Sequence, residues 1–146
     1  MARDITHDAQ LAPGGVGAAR PPRPARGVFA TLYRGVAWLT LAGLAAQVYL
    51  AGAGAFGART YALHATWGLT LSLPILLLLI LAFLGRVGRL RTAFTALLLV
   101  LYLAQLLLAE LRTDAPYVAA LHAENALALL GVTFVLARGQ GAPADR

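Results

Sequence analysis

Four long stretches of the chain contain almost no charged side chain, and this pattern constrains the fold more than any other feature of the sequence. They are residues 35–58, 60–85, 92–109 and 115–137. A helix that crosses a bilayer requires about 20 mostly apolar residues. Helices that are apolar on every side leave no polar outer face for a soluble bundle. We therefore predict an all-α integral membrane protein with spans at about 35–55, 60–84, 92–111 and 116–137.

The distribution of the arginines predicts how these spans are oriented. All twelve basic side chains are arginine, and ten of them flank one side of the spans. Only Arg59 and Arg112 lie on the other side. Because the cytoplasmic side of a membrane protein carries the excess of positive charge, we predict that both termini are cytoplasmic. Residues 1–27 and 138–146 would then be flexible cytoplasmic tails, and residues 28–137 would form the four-span bundle.

Composition and missing motifs exclude several classes of function. The chain has no cysteine, which excludes disulfides, thiolate metal sites and the covalent attachment of c-type haem. The net charge of +6 is not accompanied by interleaved basic and aromatic residues, so no nucleic-acid partner is expected. No Ser-His-Asp set, phosphate-binding glycine loop or H-E-x-x-H motif is present. We therefore expect an electron carrier or an accessory protein rather than an enzyme.

Pro74 interrupts the second predicted span. A proline inside a helix removes one backbone hydrogen bond and commonly kinks the helix. Membrane helices tolerate such prolines when neighbouring groups satisfy the freed carbonyl. The sequence therefore predicts a kink near this residue without assigning it a function.

The chain also contains an internal repeat. The 25 residues that start at Gln47 align without a gap with the 25 that start at Gln105, and nine positions are identical. Identical leucines and alanines carry little weight, because both residues are common in this chain. Identical glutamines and histidines carry more, because the chain has only four glutamines and three histidines. The repeat places His64 and His122 in register, each 17 residues after its glutamine. We infer two helical hairpins that form a parallel repeat about an axis along the membrane normal.

The repeat predicts a polar layer inside the bundle. Within each hairpin the glutamine and the histidine lie at similar distances from the outer loop, so all four side chains should share one depth near the outer surface. Spans two and four are not neighbours in an up-down-up-down bundle. We therefore predict that His64 and His122 face each other across the centre of a four-helix bundle with pseudo-two-fold symmetry.

Two histidines in this arrangement could hold a b-type haem. A low-spin haem requires two nitrogen ligands on opposite faces of the ring, and diagonal helices of a bundle can supply them. Gly68 and Ala126, one turn beyond each histidine, would leave room for the macrocycle, while Trp67 and Asn125 would border it. We expect bis-histidine ligation of haem b near the extracytoplasmic face, in electron transfer or in an accessory haem-binding role.

Four further residues are expected to support the haem. Gln47 and Gln105 could accept a hydrogen bond from the Nδ1–H of the imidazoles and so set their orientation and tautomer. Arg59 and Arg112, near the outer loops, could pair with the haem propionates. A second haem is not expected, because the inner half of the bundle contains no histidine.

Other interpretations of the polar layer stay open. The side chains could form interhelical hydrogen bonds in a cofactor-free structural or accessory subunit. A proton path through His64, His122, Glu110 and Glu124 would lack titratable partners in the inner halves of the spans. A zinc or copper site with Glu124 as third ligand is disfavoured, because Glu124 points about 200° around the helix from His122. A quinone or lipid pocket with histidine donors would have the same sequence pattern.

The residues also resemble a known group. A family of small four-span membrane proteins of bacteria and archaea, catalogued as a domain of unknown function, resembles the chain over residues 33–136. The resemblance is carried by residues 47–52, His64 with Gly68, Gln105, and residues 121–126. It implies a multi-pass protein of a bacterial or archaeal plasma membrane and implies no activity. A redox partner, a partner in a membrane complex and a homo-oligomer are all compatible with this resemblance.

The layout is also similar to one half of haem A synthase and to di-histidine membrane cytochromes b. On that pattern His64 and His122 match the axial ligands. Ala65 and Ala123 follow these histidines where haem A synthase has charged residues. The resemblance therefore implies haem binding but not haem-modifying catalysis.

Overall fold

The computed structural model describes residues 24–58 and 61–139, which form helices and no strand. The helices are α1 (Pro24–Ala55), α2 (Ala62–Thr70), α3 (Ser72–Leu84), α4 (Arg89–Glu110), α5 (Pro116–Ala119) and α6 (Leu121–Arg138). Helix α1 begins at Pro24, inside the segment that the sequence assigns to the N-terminal tail. The rest of that tail and most of the C-terminal tail lie outside the described residues.

Four helical segments are long and apolar enough to cross a membrane, as predicted. They are Gly27–Ala55, Ala62–Leu84, Arg89–Glu110 and Pro116–Arg138. Helices α2 and α3 together form the second segment, and α5 and α6 together form the fourth. Large apolar side chains such as Leu73 and Leu127 remain more than 60% exposed on the outside of the bundle. Such a surface is suited to a lipid bilayer rather than to water.

The helices pack as an up-down-up-down bundle. Helix α1 packs against α3 and α6, and α4 packs against the same two helices. Within the described residues, no Cα of α1 lies within 8 Å of a Cα of α4, and the same holds for α3 and α6. Spans two and four are therefore diagonal, which places their facing side chains across the centre of the bundle.

The buried core occupies only part of the length of the bundle. We call the end that carries Arg34, Arg86, Arg89, Arg91 and Arg138 the arginine-rich end, and the opposite end, with His64 and His122, the histidine end. Buried positions in α1 stop at Leu44 and those in α4 stop at Tyr102, while those in α6 start at Leu129. Helix α2 contains none. The side chains at the histidine end are therefore only partly shielded.

The second span is interrupted where the sequence predicts a kink. Because Pro74 has no N–H, the carbonyl of Thr70 loses its partner one turn earlier, and α2 ends at this residue. Neighbouring hydroxyls satisfy nearby carbonyls: Ser72 donates to the carbonyl of Leu69 at 2.7 Å, and Tyr102 of α4 donates to the carbonyl of Gly68 at 3.0 Å. The Tyr102 bond also connects the first hairpin to the second.

The connection between α3 and α4 begins with a hydrogen-bonded cap at the C-terminus of α3. The N–H groups of Arg86 and Val87 donate to carbonyls of the last turn of α3, both at 3.2 Å. This pattern is a Schellman motif, whose left-handed residue is usually glycine. Here that residue is Arg86, with φ of 46°. Gly85, just before it, packs so closely on α1 that a Cβ would lie 3.3 Å from the backbone N of Ala30.

Candidate functional site

The two intramembrane histidines lie together at the histidine end. His64 is on α2 and His122 is on α6, and their ring centroids are 6.1 Å apart with an interplanar angle of 62°. Both side chains are partly exposed. Tyr61 packs edge-on against His64, with ring centroids 6.2 Å apart. The structure therefore brings the paired imidazoles together from the two diagonal spans.

Each imidazole is oriented by a main-chain carbonyl of the preceding span. The Nδ1 of His64 lies 3.1 Å from the carbonyl O of Gln47, and the Nδ1 of His122 lies 3.0 Å from that of Gln105. Because a carbonyl only accepts, Nδ1 carries a hydrogen in each ring, and the lone pair of a neutral ring is then on Nε2. The sequence-based expectation that the glutamine side chains accept these bonds is wrong. The Gln47 side chain donates to the carbonyl of His64 instead, and the Gln105 side chain accepts from Asn125.

The side chain of Gln47 occupies the space beside Gly68. Its Nε2 donates to the carbonyl of His64 at 2.9 Å and lies 3.3 Å from the Nε2 of the same residue. A Cβ at Gly68 would lie only 2.7 Å from this amide nitrogen. The room that we expect for a macrocycle at Gly68 therefore holds the Gln47 amide. The Oε1 of Gln47 is buried and has no hydrogen-bond partner among the described residues.

The second hairpin has an equivalent but better satisfied glutamine. Asn125 donates to a main-chain carbonyl of α4 at 2.8 Å and to the Oε1 of Gln105 at 2.7 Å. Trp67, 58 residues earlier, donates to the equivalent carbonyl of α1 at 2.8 Å. An indole has one N–H and a carboxamide has two. The single N–H of Trp67 leaves no second hydrogen for Gln47, which explains the unpartnered Oε1.

The sequence names Trp67 and Asn125 only as residues that border the site, and it misses these hydrogen bonds. The offset of 58 residues that relates the two histidines could have found them. It also relates the donor Trp67 to the donor Asn125, and the acceptor Gly43 to the acceptor Leu101. It is weak in the sequence, because tryptophan and asparagine do not look alike.

The remaining candidate residues are less closely placed. Ala126 is partly buried one turn beyond His122, and Arg112 is exposed in the turn that follows α4. Arg59 lies outside the described residues, so the structure does not address its expected pairing with a propionate. Glu124 is exposed. In the described part of the chain, no three His, Cys, Asp or Glu side chains come together, so the three-ligand zinc or copper site does not form.

The arrangement limits the chemistry that is available at the histidine end. Two imidazoles from different hairpins are each held at Nδ1 by a main-chain acceptor, which leaves Nε2 as the ring nitrogen that can meet a ligand. Such a pair can ligate one metal centre from two sides or accept two hydrogen bonds from a bound molecule.

One comparison with known proteins gives a match. Residues 47–113 match the model of a family of unknown function (DUF6220). This confirms the expected resemblance to a domain of unknown function. The matched segment contains Gln47, His64 and Gln105 and ends before His122. No curated protein and no solved structure matches the chain significantly.

Proposed function

We propose that the protein is a membrane-embedded b-type haem protein in which His64 and His122 are the two axial ligands. Its role would be electron transfer, or haem binding as an accessory to a membrane complex. The observation that carries the proposal is the meeting of two imidazoles from diagonal spans, each with Nδ1 held by a main-chain carbonyl, so that Nε2 is the ring nitrogen that would bind the haem iron.

The spacing of the rings fits this role. A metal–nitrogen distance of about 2 Å on each side corresponds to ring centroids about 6 Å apart. The observed separation is 6.1 Å, although directly packed aromatic rings also lie at such distances. Ligation would require the Gln47 amide to leave the Nε2 of His64, because one lone pair cannot serve both. The amide is the end of a flexible side chain, so this displacement needs no backbone movement.

The protein's contribution would be orientation and electrostatics. A bound haem would accept and release one electron. The Nδ1–H bonds to the carbonyls of Gln47 and Gln105 would hold the imidazoles in place and increase their basicity. Arg112, and Arg59 on the same side of the spans, would pair with the propionates. The incomplete packing at the histidine end would give a redox partner access to the haem edge.

The proposal includes a pseudo-two-fold repeat of two hairpins. It is supported by most of the buried positions, which match in pairs at an offset of 58 residues. The matched pairs are Ala37 with Thr95, Thr40 with Leu98, Leu44 with Tyr102, Leu71 with Leu129, Ile75 with Thr133, and Leu78 with Leu136. The matching bonds from His64 and His122 follow the same offset. A ligand with two equivalent faces suits such a repeat.

The proposal also includes the orientation of the protein in its membrane and its likeness to other haem proteins. The ten-to-two division of the arginines supports cytoplasmic termini, with the histidine end near the extracytoplasmic face of a bacterial or archaeal plasma membrane. The paired histidines on alternate spans support a likeness to one half of haem A synthase. Ala65 and Ala123 beside them support binding without haem modification.

The visible absorption spectrum of the purified full-length protein, made in haem-supplied cells, tests the proposal. We expect a Soret band and reduced α and β bands, which His64→Ala and His122→Ala abolish or convert to a five-coordinate spectrum. His7→Ala, which changes the third histidine of the chain, is the matched control and should leave the spectrum unchanged. A stably folded but colourless protein would refute haem binding.

A cofactor-free structural role is the second candidate. It is favoured by the Gln47 amide, which lies 3.3 Å from the Nε2 of His64 and can satisfy that ring without a ligand. Interhelical hydrogen bonds in membranes are worth about 0.6 kcal/mol on average. On this interpretation both histidine variants lower the melting temperature slightly, and neither wild type nor variants absorb in the Soret region.

A further inference from the structure

The arginine-rich end contains an open groove between α3 and α4, far from the histidines. Its volume is about 560 Å³, within the range of small-molecule sites. One part of the lining is apolar or small and comprises Ala82, Phe83, Gly88, Ala93 and Ala96. The polar part comprises Arg86, Arg89 and Thr92. The groove thus combines two guanidinium groups with an apolar wall.

Among the described residues, no carboxylate lies near this groove to balance its charge. Arg86 and Arg89 are exposed. The acidic residues of the described ranges, Glu110, Asp114 and Glu124, all lie at the histidine end. Within the described part of the chain, the two guanidinium groups therefore have no carboxylate near them. An anion is the complementary ligand.

The backbone at Arg86 is unusual for a residue with a side chain. Its φ of 46° is left-handed, a conformation that is unfavourable for a residue with a Cβ. The position is the one that glycine usually takes in a Schellman motif. An arginine therefore occupies a site where glycine would be more stable. Such local strain is often associated with function.

The length of the groove along α4 indicates the kind of anion. Arg89 is the first residue of α4, and Ala96 lies two turns further along the helix. At 1.5 Å per residue, the groove follows α4 for about 10 Å from Arg89 toward the apolar middle of the helix. Phe83, on the opposite wall, is 65% exposed and faces the surroundings of the bundle. A free phosphate would use only the arginines, whereas a phospholipid would use the arginines and the apolar wall.

We propose that this groove binds an anionic phospholipid of the surrounding bilayer. The phosphate diester lies at Arg86 and Arg89, and one acyl chain follows Ala93 and Ala96 along α4. This site is independent of the haem proposal, because it shares no residue with the histidine end. It also accounts for an arginine in a left-handed cap.

Native mass spectrometry of the purified full-length protein tests the proposal. Phosphatidylglycerol and phosphatidylcholine with the same acyl chains are titrated separately. A basic residue near an anionic membrane surface contributes about 1 kcal/mol, roughly a fivefold change in affinity. We expect wild type to prefer phosphatidylglycerol about tenfold or more, and the double variant Arg86→Gly with Arg89→Gln to lose that preference.

The controls separate a specific site from general charge attraction. Arg86→Gly alone should bind severalfold less phosphatidylglycerol while melting at or above the wild-type temperature, because glycine suits the left-handed cap. Arg138→Gln removes a charge at the same end outside the groove, and should change binding less than twofold. Equal losses in Arg138→Gln and in Arg86→Gly would refute the groove. Displacement of the lipid by millimolar inorganic phosphate would refute a lipid ligand in favour of a soluble one.

Discussion

At the scale of single residues, the two intramembrane glutamines have equivalent positions but different hydrogen-bonding states. Asn125 supplies the Oε1 of Gln105 with a donor, whereas Trp67 has none left for the Oε1 of Gln47. A buried acceptor without a donor costs about 1–3 kcal/mol. The Gln47 side chain therefore lacks the bond at Oε1 that Gln105 has, and under the proposed haem ligation its amide would have to leave the Nε2 of His64.

This difference predicts unequal effects of the same substitution. Gln105→Leu leaves the second N–H of Asn125 without its acceptor. Gln47→Leu removes the amide bond to the His64 carbonyl, but it also removes a buried oxygen that has no donor among the described residues. We expect Gln105→Leu to destabilise the protein by about 1 kcal/mol more than Gln47→Leu. Thermal unfolding of both variants in the same detergent measures this difference. Equal melting temperatures would show that Asn125 finds another acceptor.

At the scale of elements, the connection between α3 and α4 packs closely on α1 at the arginine-rich end. A Cβ at Gly85 would be 3.3 Å from the N of Ala30 in α1, and 2.9 Å from the carbonyl O of Leu81 in the last turn of α3. Both neighbours are backbone atoms, so neither can rotate away. The loop must shift to accept any side chain.

Gly85→Ala should therefore destabilise the bundle by about 1–3 kcal/mol through overpacking. Gly131→Ala is the matched control, because a Cβ at Gly131 in α6 meets no atom within 4 Å. An alanine there should be neutral or stabilise the helix by up to about 1 kcal/mol. Thermal unfolding monitored by circular dichroism compares the two. A Gly85→Ala protein as stable as Gly131→Ala would contradict the close packing of the loop on α1.

At the scale of the whole molecule, the four spans place both ends of the described chain on one side. The extents of three spans agree closely with the uncharged stretches of the sequence. Helix α1 extends further, to Pro24, because arginines at a helix end can reach the interface and do not stop the helix. The sequence thus predicts the spans well and their terminal turns less well.

Orientation can be tested because the chain has no cysteine of its own. Thr113→Cys places a thiol beyond the histidine end, and Arg138→Cys places one at the arginine-rich end. In intact spheroplasts, a membrane-impermeant maleimide should label Thr113→Cys at once and Arg138→Cys only after permeabilisation. Labelling in the reverse order would place the termini outside the cytoplasm.

The sequence by itself determined the number of spans and the register of the polar layer. Both depend on short-range properties: a helix advances by a constant rise per residue, and a 17-residue interval across the loop at the histidine end returns the chain to the same depth. The facing of His64 and His122 could be anticipated because alternating helices of a bundle are diagonal.

Only the tertiary structure decided which atoms meet. Whether an imidazole reaches a side-chain amide or the main-chain carbonyl behind it depends on how closely the two helices approach. No residue pattern encodes these interhelical distances. The same distances leave the Oε1 of Gln47 without a donor among the described residues and place the Gln47 amide against Gly68. They also place Arg86 and Arg89 beside an apolar groove, because α3 and α4 approach there without filling the space between them.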